Sequence, residues 1–170
     1  MSDPSLAGIR WPHQFEPARS PIFVRNELNI AAPPEAVWAW LIRATAWPSY
    51  YANSANVKLA GGGEELTLQQ QFTWRTFGIN LRSVVEELVP GERLAWTARG
   101  LGVWAYHAWL LEPTPGGCKV ITEETQHGLL ARLGSLVLPG RMHRGHQAWL
   151  VALAGKAESG PPGSASATRP

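Results

Sequence analysis

The chain has a single cysteine, Cys118, and a single aspartate, Asp3, among its 170 residues. One thiol rules out an intramolecular disulfide, and no Cys/His cluster has the spacing of a structural zinc site. A reducing, cytoplasmic setting suits such a chain. Because Asp3 stands in an N-terminal segment, every carboxylate of the folded part is a glutamate, and mechanisms that require an aspartate are excluded. No apolar run approaches the roughly 20 residues of a membrane-spanning helix, and residues 1–17 have neither the basic start nor the apolar core of a signal peptide. An excess of charge is missing too. The formal net charge is +2 and the basic residues are scattered, so no basic stripe is available to track a phosphate backbone, and nucleic acid is not expected as a partner.

What the chain has in quantity is apolar and indole surface: 45% of residues are hydrophobic and nine are tryptophan. That suffices for one sizeable core at this length. Tryptophan is wide, flat and amphipathic, so an excess of it serves either a packed core or the wall of an apolar cavity. The bias toward Arg over Lys, with much Ala, Gly and Pro, fits a bacterial, GC-rich source.

Punctuation divides the chain into three parts. Residues 1–21 are proline-rich and without a period, and read as an N-terminal arm; residues 159–170 are of low complexity and read as a disordered tail. Between them, residues 22–158 read as one domain. Residues 22–30 are extended and stop at Ala31-Ala32-Pro33-Pro34. Pro34 at the first helical position and Glu35 in the first turn predict a short helix over 34–42, followed by a second short helix or turn at Trp47-Pro48. Six strands are then expected over 57–60, 66–74, 79–89, 93–99, 103–112 and 119–126, separated by glycine and proline turn signals. Residues 129–158 carry helical spacing with a break expected at Pro139-Gly140. The expected fold is α+β: a seven-stranded curved antiparallel sheet wrapped around a long C-terminal helix.

This layout, together with Ile30-Ala31-Ala32-Pro33-Pro34-Glu35-Ala36-Val37-Trp38, Val85 to Trp96 and His107 to Pro113, resembles the START, polyketide cyclase and Bet v-type superfamily, also called SRPBCC. The resemblance implies a helix-grip fold with an internal cavity, and relatives that bind or convert lipids, sterols, polyketides, quinones and other apolar molecules. It implies no single reaction, because one fold hosts many functions.

For the cavity wall, strand alternation and helical spacing nominate Leu68, Phe72, Trp74, Trp96, His107, Trp109, Val120, Leu133, Val137 and Trp149. On the strand over 103–111 two alternating sets compete, one with His107 and Trp109 and the other with Trp104 and Tyr106. We prefer the first as inward. On the last strand Val120, Thr122, Glu124 and Gln126 are the preferred inward set, a choice expected to need a bulge if the intervening turn is regular. Chemistry, if any, falls to His107, Glu124, Arg82 and Tyr106: a glutamate beside an imidazole makes an acid/base pair, and an arginine can hold a carboxylate or enolate. An ordinary buried histidine and an outward charge ladder are the competing explanations. His143 and His146, at i and i+3, have no evident third ligand and read as a solvated helix face, so no metal and no cofactor is expected. The expected partner is a small hydrophobic molecule. Three functions follow: a ligand-binding module, a cyclase or dehydratase enzyme, or a protein-interaction module whose convex sheet exposes Trp104 and Tyr106.

Overall fold

The computed structural model describes residues 8–138 and 140–163. Strand β1 (Ile22–Ile30) leads through Pro33 into helix α1 (Pro34–Ile42), where Pro34 occupies the first turn and needs no backbone donor. A 3-10 helix (Ala44–Ser49) carries Trp47 into the core, where its indole Nε1–H donates to Leu41 O. Strands β2 (Ser54–Leu59), β3 (Gln71–Thr76), β4 (Ile79–Val89), β5 (Arg93–Gly100), β6 (Val103–Thr114) and β7 (Gly117–His127) follow, then α2 (Leu129–Val137) and α3 (Arg141–Glu158). The seven strands form one antiparallel sheet in the order β1-β7-β6-β5-β4-β3-β2, and α3 packs into it against β1 and α1. This is the helix-grip architecture. Its bounds agree with the sequence reading at β1, α1 and β4.

The expected strand over 66–74 is shorter. Residues 66–70 leave the regular ladder because Gln69 adopts a left-handed conformation (φ 63), which breaks the alternation and turns Leu68 out to solvent. Backbone bonds from Gln69 to Val85 and from Val85 to Gln70 still tie the segment to β4, where the β4–β5 register shifts between Val85 and Glu87. A second shift lies in edge strand β2, between Ala55 and Lys58, around Asn56 at φ 54. The expected break between the last two helices falls at Pro139, which lies outside the described residues, and at Gly140, whose left-handed backbone (φ 73) caps α3. Of the expected tail, residues 159–163 are described and 164–170 lie outside.

Over β5, β6 and β7 both faces of the sheet are covered. The inner face holds the main core, in which Leu41, Trp47, Phe72, Trp96, Trp109, Leu111, Val120, Leu150 and Leu153 are almost wholly buried. The outer face of β5, β6 and β7 is covered by the N-terminal arm: Ile9 and Phe15 pack on Ala95, Tyr106, Ala108, Leu110 and Ile121, with Trp11 and Trp104 at the margin. Phe15 sits edge-on to Trp104 at 4.6 Å and stacks on Tyr106 at 5.5 Å. An arm laid over a convex sheet removes the exposed apolar patch that a docking surface there would need; Tyr106 is buried and its hydroxyl reaches Arg10 O.

Candidate functional site

The β6–β7 register is unbroken from Trp104↔His127 to Thr114↔Gly117. His107 lies directly opposite Glu124, Trp109 opposite Thr122, and Leu111 opposite Val120, so all six side chains share one face. The bulge expected to reconcile these choices is unnecessary: directly paired residues always share a face. That face is the inner one, toward α3.

From α3, His146 reaches the same place. Its neighbours at i+3, i+4 and i+7 are Trp149, Leu150 and Leu153, all buried, and His146 itself is 1% exposed. The solvated face expected for the histidine pair therefore holds for His143 alone, which is exposed. His146 Nε2 lies 3.1 Å from Glu124 Oε2, and His107 Nδ1 lies 3.2 Å from the same oxygen. The two imidazoles stack at 4.7 Å between ring centres. Gln126 donates its amide N–H to Glu124 Oε1 at 2.6 Å, and His107 Nε2 is 2.7 Å from the Thr122 hydroxyl. His146 Nδ1 is buried with no hydrogen-bond partner among the described residues. A carboxylate from β7, an imidazole from β6 and an imidazole from α3 thus converge inside the grip.

Burial works against charge on Glu124, but the electrostatic pull of His107, the bond and charge of His146, and the Gln126 amide outweigh it and hold the carboxyl near 2. Burial takes His107 in the other direction. It lowers that imidazole to about 3 against the opposing attraction of Glu124, with His146 adding to the drop. At neutral pH the cluster is an ionised carboxylate held by ring N–H and amide donors.

The cluster opens onto a cavity of about 200 Å³. Tyr51, Trp74, Trp96 and Trp149 wall it from the core side, Phe77 from the β3–β4 turn, Leu81 from β4, Leu130 and Ala131 from α2, and Leu138 from just past the end of α2. Phe77 is held at φ 49 by the tight β3–β4 turn, with its N–H donated to Asn53 Oδ1. Of the residues nominated for this wall, Trp74, Trp96, His107 and Trp149 line it. Phe72, Trp109 and Val120 do not; they lie deeper, in the half of the grip filled by Trp47 and the C-terminal half of α3. Leu68 is 57% exposed on its irregular loop. Leu133 and Val137 are exposed together with Leu129 and Leu136, because the Leu/Val stripe of α2 faces outward, and Leu130, Ala131 and Gly134 line the cavity instead.

Two of the nominated chemical groups lie elsewhere. Arg82 is exposed and lines an open surface groove with Asn80, Lys58 and Arg99, on the far side of the sheet from Glu124. Tyr106 alternates with His107 and is consequently on the outer face under the arm. The residue that sequence reasoning missed is His146, and the signal was present: it continues the Trp149, Leu150, Leu153 stripe at helical spacing. His107, Glu124 and His146 also offer three ligand atoms within 4.8 Å of one another, a set able to hold a metal ion.

A curved sheet gripping a terminal helix, with a polar cluster set into an apolar cavity, defines a small-molecule cavity protein of the helix-grip class. The chain belongs to the polyketide cyclase / dehydrase and lipid transport family, whose model matches residues 22–158. Among solved structures it is similar to the hypothetical protein jhp0584 of Helicobacter pylori, at 31% identity and a TM-score of 0.83, over 92% of this chain and 99% of that one. It shares the fold of protein CV1439 from Chromobacterium violaceum, at 20% identity and TM-score 0.63, over 81% of this chain and 98% of that one. It also shares the fold of the di-domain ARO/CYC StfQ from the steffimycin biosynthetic pathway, at 18% identity and TM-score 0.67, over 81% of this chain and 51% of that one. A search of curated proteins finds no match. Among the described residues no helix is long and apolar enough to cross a membrane.

Proposed function

We propose that this protein binds a compact, largely apolar small molecule that presents one polar group to the His107–Glu124–His146 cluster. The observation that carries the reading is the cavity: apolar residues and aromatic rings on most sides, with one buried polar cluster, the pattern of sites that orient a ligand by a few polar contacts. A volume of about 200 Å³ is below the usual range for drug-sized ligands, roughly 300–1,000 Å³, and suits a one- or two-ring quinone or polyketide-like molecule better than a full-length lipid. Binding of this kind asks for no cofactor and no nucleic acid. A cytoplasmic location is part of the reading and rests on the lone, buried Cys118.

Native mass spectrometry of the protein as purified, with identification of anything retained, tests this directly. Quenching of tryptophan fluorescence by added quinones and aromatic polyketide mimics is the companion measurement, since Trp74, Trp96 and Trp149 line the cavity. Retention or saturable quenching, weakened in Trp96→Ala, supports binding. A protein that retains nothing and responds to no probe excludes it.

A second reading is favoured by one observation. His107 and Glu124 stand in hydrogen-bond reach of each other at the cavity wall, the pairing of groups that an acid/base mechanism would use. That fits a cyclase or dehydratase of the kind named for the family, and StfQ is described as an ARO/CYC. Cyclisation or loss of water from a poly-β-ketone mimic, seen by mass spectrometry with wild type and abolished in His107→Gln, supports turnover. Saturable binding without conversion leaves the binding reading alone.

A further inference from the structure

The geometry points to a divalent transition-metal site at His107, Glu124 and His146, with its open coordination positions facing the apolar cavity. The inference stands apart from the identity of any organic ligand.

Three observations carry it. Ligand identity is the first: two imidazole nitrogens and one carboxylate oxygen suit first-row ions such as Zn²⁺, Co²⁺ or Fe²⁺, whereas Mg²⁺ and Ca²⁺ favour all-oxygen sites. Distance is the second. Bonds of about 2.05 Å in a tetrahedral site separate neighbouring ligand atoms by about 3.3 Å, and the Glu124 oxygen already stands 3.1 and 3.2 Å from the two nitrogens. The nitrogens lie within 4.8 Å of each other, so an approach of at most about 1.5 Å by the two imidazoles completes the triangle. Support is the third. Three rigid elements, β6, β7 and α3, supply one ligand each, and a hydroxyl and an amide stand behind them: Thr122 on His107 Nε2 and Gln126 on Glu124 Oε1. Outer partners of this kind fix the tautomer and the ring plane of a metal ligand. In the metal-bound form, Nε2–H given to Thr122 would leave the Nδ1 lone pair of His107 for the ion, in place of the N–H that it gives Glu124 in the free cluster.

Three protein ligands leave at least one position for a water or for the polar group of a cavity-bound molecule, as in sites where the metal acts on a substrate rather than on the fold.

Co²⁺ is the probe of choice, because its visible d–d bands report coordination independently of any activity. Titrating the full chain, after treatment with a chelator, is expected to saturate at one equivalent with the intense bands of a low-coordinate N/O site, and Zn²⁺ is expected to displace it. Glu124→Gln and His146→Ala should each weaken binding at least tenfold. Thr122→Val, which removes only the supporting hydroxyl, should weaken it by about tenfold. His13→Ala, exposed on the N-terminal arm and remote from the cavity, should leave it unchanged. Circular dichroism identifies any variant that fails to fold, and the wild-type stoichiometry decides the matter without the variants. No saturable binding by wild type overturns the proposal, as does binding lost in His13→Ala or retained in both Glu124→Gln and His146→Ala.

Discussion

Trp149 is the side chain on which the interior most depends. Its ring stacks on Tyr51 at 4.5 Å and 10°, and lies 5.0 Å from Trp109, 5.1 Å from Trp47, 5.8 Å from His107 and 5.9 Å from Trp74. It also divides the filled half of the grip from the cavity. Trp149→Ala removes buried area that nothing can replace without moving α3, and such truncations cost about 3–5 kcal/mol. For a chain of this length each kcal/mol lowers Tm by roughly 2–4 °C, so a fall of about 6–20 °C is expected. Thermal unfolding followed by far-UV circular dichroism measures it. Indole, which has the shape of the deleted group, should restore part of the loss, because a void lined by apolar rings stays dry and accepts such a molecule. A Tm within about 3 °C of wild type would refute the reasoning, since it would mean the ring network contributes no more than a surface contact.

Further outcomes can be measured with little extra material. Gly128→Ala places a methyl 2.3 Å from Gly102 O at a backbone φ of 110 where β7 enters α2, and a loss of at least about 2 kcal/mol is expected in urea unfolding. The phenols of Tyr50, Tyr51 and Tyr106 are all pushed up by burial, Tyr51 to about 12, so ultraviolet titration should show little tyrosinate at pH 11 in the folded protein. Because these pKa values are raised in the fold, the phenols' contribution to stability is intact below pH 10 and is lost as the pH climbs from there toward the folded values, so tyrosinate should appear together with unfolding; a phenol titrating near 10 before unfolding contradicts this. Burial likewise pushes the Cys118 thiol up to about 11, and a disulfide reagent at pH 8 should react with the denatured chain and barely at all with the native one.

Much of the architecture was written locally. The proline pair before α1, the Pro90-Gly91 turn and the β-branched run of β4 act through backbone sterics that need no tertiary context, and those elements begin and end where the residues say. The departures have tertiary causes. Alternation could not decide the face of β6, because the arm buries Tyr106, Ala108 and Leu110 as thoroughly as the core buries His107, Trp109 and Leu111. On α2 helical spacing placed Leu133 and Val137 on the apolar stripe and so read them inward, whereas that stripe faces out. Gln69 carries no composition signal for a left-handed turn, so Leu68 read as inward. The site was half legible: His107 and Glu124 stood out as the rare polar groups of an apolar strand pair, while His146 was read with its exposed neighbour His143 instead of with the buried stripe that follows it.

The two register irregularities bear on how the molecule behaves in company. An open seven-stranded sheet has two free margins, β1 and β2, and a free margin is a template on which a second chain can add a strand. At β2 the shift between Ala55 and Lys58, with Asn56 turned to positive φ, interrupts the row of donors and acceptors after two residues and puts a lysine beside the interruption. An incoming strand therefore meets no run long enough to zip against. A chain with 45% hydrophobic residues and nine indoles is thereby guarded against templated aggregation at this margin by one misplaced residue.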